Sequence, residues 1–258
     1  MADDTIRNSL PAHIFGAPLD VMAAVTAGPG ELPELDFVLP NLPAGHVGAI
    51  TGDSPGQAAI LALQFLAQTA SGAGGLDIGR FREGPCVFLG CGYPEAELSR
   101  LVNAFARPLP PAEKERLARN LDVYPVVPTA PTFERPEAVL FLYRLALGRR
   151  LLAVASMGTS LRQPAALESL QAVAHDTGCA MLVTHLPLAD HVITLESTVW
   201  EGSVEETGEE DGPSSILTFE VTRGFGELFP GRNLRRRRDG LFETSGRSQP
   251  GIPRHSQN

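Results

Sequence analysis

The sequence predicts an α/β fold: a central, mainly parallel sheet with helices on both faces, finished by antiparallel strands. Three observations carry this. Short apolar runs without polar alternation recur between residues 46 and 185, as in strands buried on both faces. Between them lie stretches whose apolar residues recur at helical spacing. After His185 the helical patterns cease, and β-rich runs follow at 191–200 and 214–223, with a weaker one at 240–245.

Taken in order, residues 1–34 read as an arm, in which DVMAAVTAG (20–28) forms a short helix and PGELPE a turn-rich linker. The core spans 35–245. HVGAIT (46–51) is its first strand, and Ile60, Leu63, Phe65, Leu66 and Ala67 mark a helix over 56–71, ended by SGAGG. Strands at 85–90, 121–127, 150–156 and 179–185 alternate with helices at 94–106, 111–120, 135–149 and 164–177. The segment 201–211 holds six acids and no bases and reads as a solvated hairpin loop. Arg235–Arg238 is a short basic run open to two readings: contact with nucleic acid or an acidic partner, or a basic hairpin facing the acidic segment within or between subunits. Residues 246–258 read as a disordered tail.

A chain of 258 residues, 43% hydrophobic, can bury one large core. Its net charge of -9 opposes a surface that coats nucleic acid, so any such binding is expected to be weak. Cys86, Cys91 and Cys179 fit no metal spacing and suit a reduced thiol pool. No uninterrupted apolar window reaches about 18 residues, and the N-terminus lacks a leader pattern, so a cytoplasmic protein without membrane contact is expected.

The turn after the first strand carries the sharpest signal. A phosphate loop follows G-x-x-x-x-G-K-[ST], and from Gly52 this chain reads Gly52, Asp53, Ser54, Pro55, Gly56, Gln57, Ala58, Ala59. The motif works because successive backbone N–H groups and a lysine neutralise phosphates while a hydroxyl holds Mg²⁺. Here Gln57 stands at the last glycine, Ala58 at the lysine and Ala59 at the hydroxyl residue.

Together with this loop remnant, the segments LDFVLPNLPAGHVGAIT (35–51), LALQFLAQTASG (61–72), GPCVFLG (84–90), GRRLLAVAS (148–156), HDTGCAMLVTH (175–185) and VTRGFG (221–226) run in one order. In that order the chain resembles the RepA-type hexameric replicative helicases of mobilizable plasmids, from about residue 20 to about 242, and so a RecA-like ATPase core. The resemblance implies that the metal-holding acid falls at Ala155 and the catalytic glutamate at Gly92. It matches His185 to a γ-phosphate sensor and Arg223 to a basic residue that reaches a neighbouring subunit's nucleotide. It also implies that the arm hooks onto a neighbouring subunit. The family's base-rich segment lining the channel for single-stranded DNA is replaced by HLPLADHVITL, without Lys or Arg.

The expectation is therefore a RecA-fold protein without catalysis, metal or bound cofactor, acting by self-association or by docking onto a related helicase subunit. ATP and Mg²⁺ enter only if the loop is read wrongly. The alternatives are a nucleotide sensor that binds weakly without hydrolysis and, least favoured, an active helicase. A thiol hydrolase assembled from Cys91, His185 and Asp190 lacks a nucleophile context. The acid pairs Glu95/Glu97 and Glu113/Glu115 read as solvated helix faces, and the six histidines have no ligand spacing.

Overall fold

The computed structural model describes residues 21–26, 35–52, 55–76, 81–126, 135–156, 164–185, 200–209, 215–223 and 232–244. The chain divides into two compact units, Met1–Leu35 and Asp36–Asn258. In the first, α1 (Val21–Thr26) is a single helical stretch whose Met22 and Val25 are 71% and 74% exposed.

The second unit opens on a small hairpin, β1 (Phe37–Leu39) and β2 (Leu42–Pro43), turned at Asn41 with φ of 62°. Asparagine tolerates this left-handed backbone, which is why so short a hairpin closes here. The main sheet has nine strands: β3 (Val47–Gly52), β4 (Cys86–Cys91), β5 (Leu121–Val126), β6 (Leu151–Ser156), β7 (Ala180–His185), β8 (Trp200–Glu209), β9 (Ser215–Arg223), β10 (Arg232–Arg236) and β11 (Phe242–Thr244). Their spatial order is β11-β10-β9-β8-β3-β7-β6-β4-β5. From β5 to β8 every neighbouring pair is parallel, and β8-β9, β9-β10 and β10-β11 are antiparallel.

The helices are α2 (Pro55–Ser71), α3 (Glu95–Ala106), α4 (Pro111–Asn120), α5 (Pro136–Ala146) and α6 (Pro164–Thr177). Strand residues alternate between two apolar layers. Phe88, Ala153, Leu182 and Ile50 join α2, α3 and α4 on one side; Val87, Leu89, Val154, Met181 and Ala49 join α5 and α6 on the other. The period of two along each strand thus sorts one continuous apolar run into both cores. Gly90 is needed by close approach, since a Cβ there would lie 2.8 Å from Leu98 Cδ1 of α3.

Two elements differ from the expectation. Within the acidic 201–211 segment, Glu201–Glu209 are not loop but form most of β8, held by ladders to β3 and β9, while residues 210 and 211 lie outside the described residues. Tertiary pairing overrides the poor strand propensity of glutamate and glycine there. Arg235 and Arg236 belong to β10, which pairs antiparallel with β11. The β1–β2 hairpin was not expected at all. Of the strand expected over 191–200, residues 191–199 lie outside the described residues, as does the tail 246–258.

At the amino end of the parallel strands, Asp36 ties three segments together. Its carboxylate accepts hydrogen bonds from Arg150 at 2.6 and 2.7 Å and from Arg82 at 2.5 Å. The Arg150 bonds, joined by the charges of Arg150 and Arg82, hold the Asp36 carboxyl below its ordinary value of 3.8. Because the folded pKa is the lower one, the stabilisation is complete above the unfolded pKa and lost as pH falls through the folded value. Asp36→Asn is expected to lower unfolding stability at pH 7 by about 1–2 kcal/mol, a partly exposed charged hydrogen bond's worth. In urea melts the gap between variant and parent should close as pH falls below about 4; a pH-independent gap would refute the assignment.

Candidate functional site

The carboxyl ends of parallel strands share one edge, and open α/β sheets bind ligands in the crevice outside that edge. Here Gly52 ends β3, Cys91 ends β4, Ser156 ends β6 and His185 ends β7. Adjacent registers link them: Gly90 pairs with Ala155, Ala155 with Thr184, Ile50 with Thr184 and Thr51 with His185. The fold therefore gathers the phosphate-loop remnant, Gly92, Ala155 and His185 along one edge.

Burial and backbone conformation describe several of these positions. Only Asp53 and Ser54, which lie outside the described residues, separate β3 from α2. The helix starts at Pro55, so Gly56 and Gln57, which a phosphate loop would leave in an open turn, are its second and third residues. Proline has no N–H and suits a first helical position, so the first helical donor is Gly56. Ala58 is 0% and Ala59 2% exposed, and Ala155 is 0% exposed. All three belong to the same buried apolar cluster beneath α2. Gln57 is half-buried, and its Oε1 has no hydrogen-bond partner among the described residues.

Gly92 forms the turn that follows β4, closed by a hydrogen bond from Tyr93 N to Gly90 O at 3.3 Å. Its φ is 86°, in the left-handed region that favours glycine. A glutamate at this position would have to adopt a backbone that costs L-residues about 1–2 kcal/mol. The backbone and the missing side chain thus agree.

Arg223 is not brought to this edge. It pairs with Glu201, which pairs with Ala49, three residues before the end of β3. At about 3.3 Å per residue it sits roughly 10 Å below the level of Gly52 and two strands away.

One feature of the edge was missed in the sequence. The ladder between β3 and β8 ends at Gly52 and Val204, yet β8 continues through Glu205, Glu206 and Glu209. The strand thus runs on past its last register pair with β3. The only sequence signal was the acid count itself, which as easily marks a solvated loop.

The three cysteines are buried. Burial pushes the Cys91 thiol up to about 11 and Cys179 to about 12, while Cys86 is raised further by burial and by neighbouring Cys179. Such thiols are poor nucleophiles at neutral pH. Asp190 lies outside the described residues. Among the described residues no group of three or more His, Cys, Asp or Glu is placed to hold a metal ion. A cavity of about 500 Å³ lies at the far side of the sheet, lined by Leu98, Val102, Leu117, Val123 and Pro125 between α3, α4 and β5. It is four strands away from the loop and unconnected with the edge chemistry.

A parallel sheet whose loop strand β3 lies between β7 and β8, helices on both faces and antiparallel closing strands define a RecA-like core. Solved structures agree. The KaiC-like protein PH0186 from the hyperthermophilic archaeon Pyrococcus horikoshii OT3 superposes with a TM-score of 0.57 at 13% identity, over 83% of this chain and 96% of its own. The RadB recombinase gives 0.55 at 13% identity, over 80% and 93%. At such identity the likeness is one of fold. No family model matches the chain.

Restoring the motif lysine alone is expected to harm the fold without creating a motor. Ala58→Lys places a long charged side chain at a fully buried position, which should cost about 1–3 kcal/mol by overpacking. A lowered thermal midpoint with no phosphate release from ATP is the expected result; stable folding with ATP turnover would contradict the burial argument.

Proposed function

We propose that this chain is a non-catalytic RecA-fold protein, related to plasmid RepA-type helicases, that acts through protein assembly in the replication of a plasmid or mobile element, or in its regulation. One observation carries the reading. The three positions where phosphoryl transfer needs a lysine, a hydroxyl and a metal-holding acid are Ala58, Ala59 and Ala155, all packed in one apolar cluster. Losing one electrostatic stabiliser commonly costs 10²- to 10³-fold in rate, and none remains at these positions.

Assembly is favoured by the arm. A six-residue helix is far below the length at which helices persist alone in water. In α1 it carries Met22 and Val25 outward, and a partner surface would bury them. The reading places that partner on a second copy or a related helicase subunit, with the protein in the cytoplasm. Among the described residues no helix is long and apolar enough to cross a membrane. The full chain is expected to elute as an oligomer in size-exclusion chromatography with light scattering, or to join an intact helicase partner. Removal of residues 1–34 should weaken either association at least tenfold. A strict monomer that ignores such a partner would end this reading.

The second reading, a sensor, rests on the free amides at the start of α2, which still favour an anion. With Ala59 and Ala155 offering a metal nothing, calorimetric titration should show ATP binding no tighter than about millimolar (~ -4 kcal/mol) and indifferent to Mg²⁺. Tight, Mg²⁺-dependent binding would overturn both readings.

A further inference from the structure

The cavity between α3, α4 and β5 is a groove whose chemistry is laid out in rows. Helical spacing divides the α3 residues that line it into two sets. Leu98, Val102 and Ala106 form the floor, and the exposed Glu95, Ser99 and Asn103 form the rim. The opposite wall is β5, where every second residue, Leu121, Val123 and Pro125, lines the groove. The residue between the first two, Asp122, accepts instead from Arg149 at 2.6 Å. Lys114, Leu117 and Ala118 of α4 complete the lining.

The two charges stand at opposite ends. α3 begins beyond the carboxyl end of β4 and runs back towards the amino end of the sheet, where α4 leads into β5. Glu95 therefore lies towards the carboxyl end of the groove and Lys114 towards its amino end. Among the described residues neither has an ion pair, whereas Glu113 and Arg116 of the same α4 pair with each other. The floor is the outer surface of the main core: Leu98 and Leu117 are buried, and Val102, Leu121 and Val123 are half-buried and keep apolar surface in water. A volume of about 500 Å³ falls within the range of ligand-binding clefts, roughly 300–1,000 Å³. From Leu121 to Pro125 the wall is about 13 Å long, the span of about four extended residues.

We propose that this groove binds a short linear segment of another protein, in which two or three apolar residues stand between a basic and an acidic one. The base meets Glu95, the acid meets Lys114, and the apolar side chains cover Val102, Leu121 and Val123. Ser99 and Asn103 bring a hydroxyl and a carboxamide to one wall, which can donate to and accept from a peptide backbone. A purely apolar ligand leaves these four polar groups unused. A nucleic acid would be repelled by Glu95 with only Lys114 to attract it. The inference rests on residues 95–125 alone and holds whether or not copies of the chain assemble.

Selection of phage-displayed random dodecapeptides on the full chain tests it, with counter-selection against Ala118→Arg, an exposed position from which arginine fills the groove. Enriched peptides should share two or three apolar residues bracketed by a base and an acid. In fluorescence anisotropy a labelled synthetic copy should bind Ala118→Arg roughly tenfold more weakly, because the occupied groove now clashes with it. Ser99→Arg, from the opposite wall, should act alike, and unchanged thermal midpoints show both variants folded. Glu95→Lys should weaken binding about fivefold, the scale of an exposed ion pair, and a peptide whose base is replaced by glutamate should recover the loss. No enrichment over Ala118→Arg, or enriched peptides indifferent to Glu95→Lys, would overturn the proposal and leave assembly through the arm untouched. Anilinonaphthalene sulfonate fluorescence abolished by Ala118→Arg, with no peptide selected, would reassign the groove to a small apolar molecule. Loss of self-association in Ala118→Arg would put a second copy there instead.

Discussion

The structure depends on the near-complete burial of α2. From Ala58 to Ser71 every residue is buried, including the polar Gln64, Gln68, Thr69 and Ser71. A helix apolar all round belongs in the middle of a core, and α2 lies against the sheet on one side and α3 and α4 on the other. Several of its polar groups meet partners, whereas Thr69 Oγ1 is buried without one among the described residues. Gln64 donates to Phe242 O at 2.9 Å and accepts from Phe242 N at 2.8 Å. At the far end Arg116 donates to Ser71 O and Asn120 to Ala70 O, satisfying carbonyls that a helix terminus leaves open.

That burial also accounts for the state of the loop. A phosphate-binding helix must present charge and a hydroxyl at its first turn, facing water and metal. Here the positions of the lysine and hydroxyl are the small apolar Ala58 and Ala59, and the core closes over them together with Ala155 from β6. The glycine backbone at Gly92 points the same way. Packing at Ala58, Ala59 and Ala155 and backbone conformation at Gly92 thus agree.

The parallel part of the fold was legible because strands buried on both faces must be largely apolar, as β4, β6 and β7 are apart from their carboxyl ends. β8 was not legible, because glutamate and glycine favour strands poorly and its place is set by ladders to β3 and β9, which are tertiary. The β1–β2 hairpin escaped because three- and two-residue strands leave no periodicity to read; only Asn41 hinted at a turn. At the candidate site the residue identities could be read from motif spacing. What sequence could not supply was that Ala58, Ala59 and Ala155 share one core, or that Gly92 sits in a left-handed turn.

The Gln64 clamp also bears on how the chain is made. Its two hydrogen bonds join residues 178 positions apart, from the first core helix to the last strand. During synthesis α2 emerges early, and its amide waits, without its backbone partners, until the ribosome has delivered nearly the whole chain. Contacts of such sequence separation form late and slow folding. The nascent protein therefore spends most of its translation with an apolar helix awaiting its final strand, an interval in which chaperones have a surface to hold.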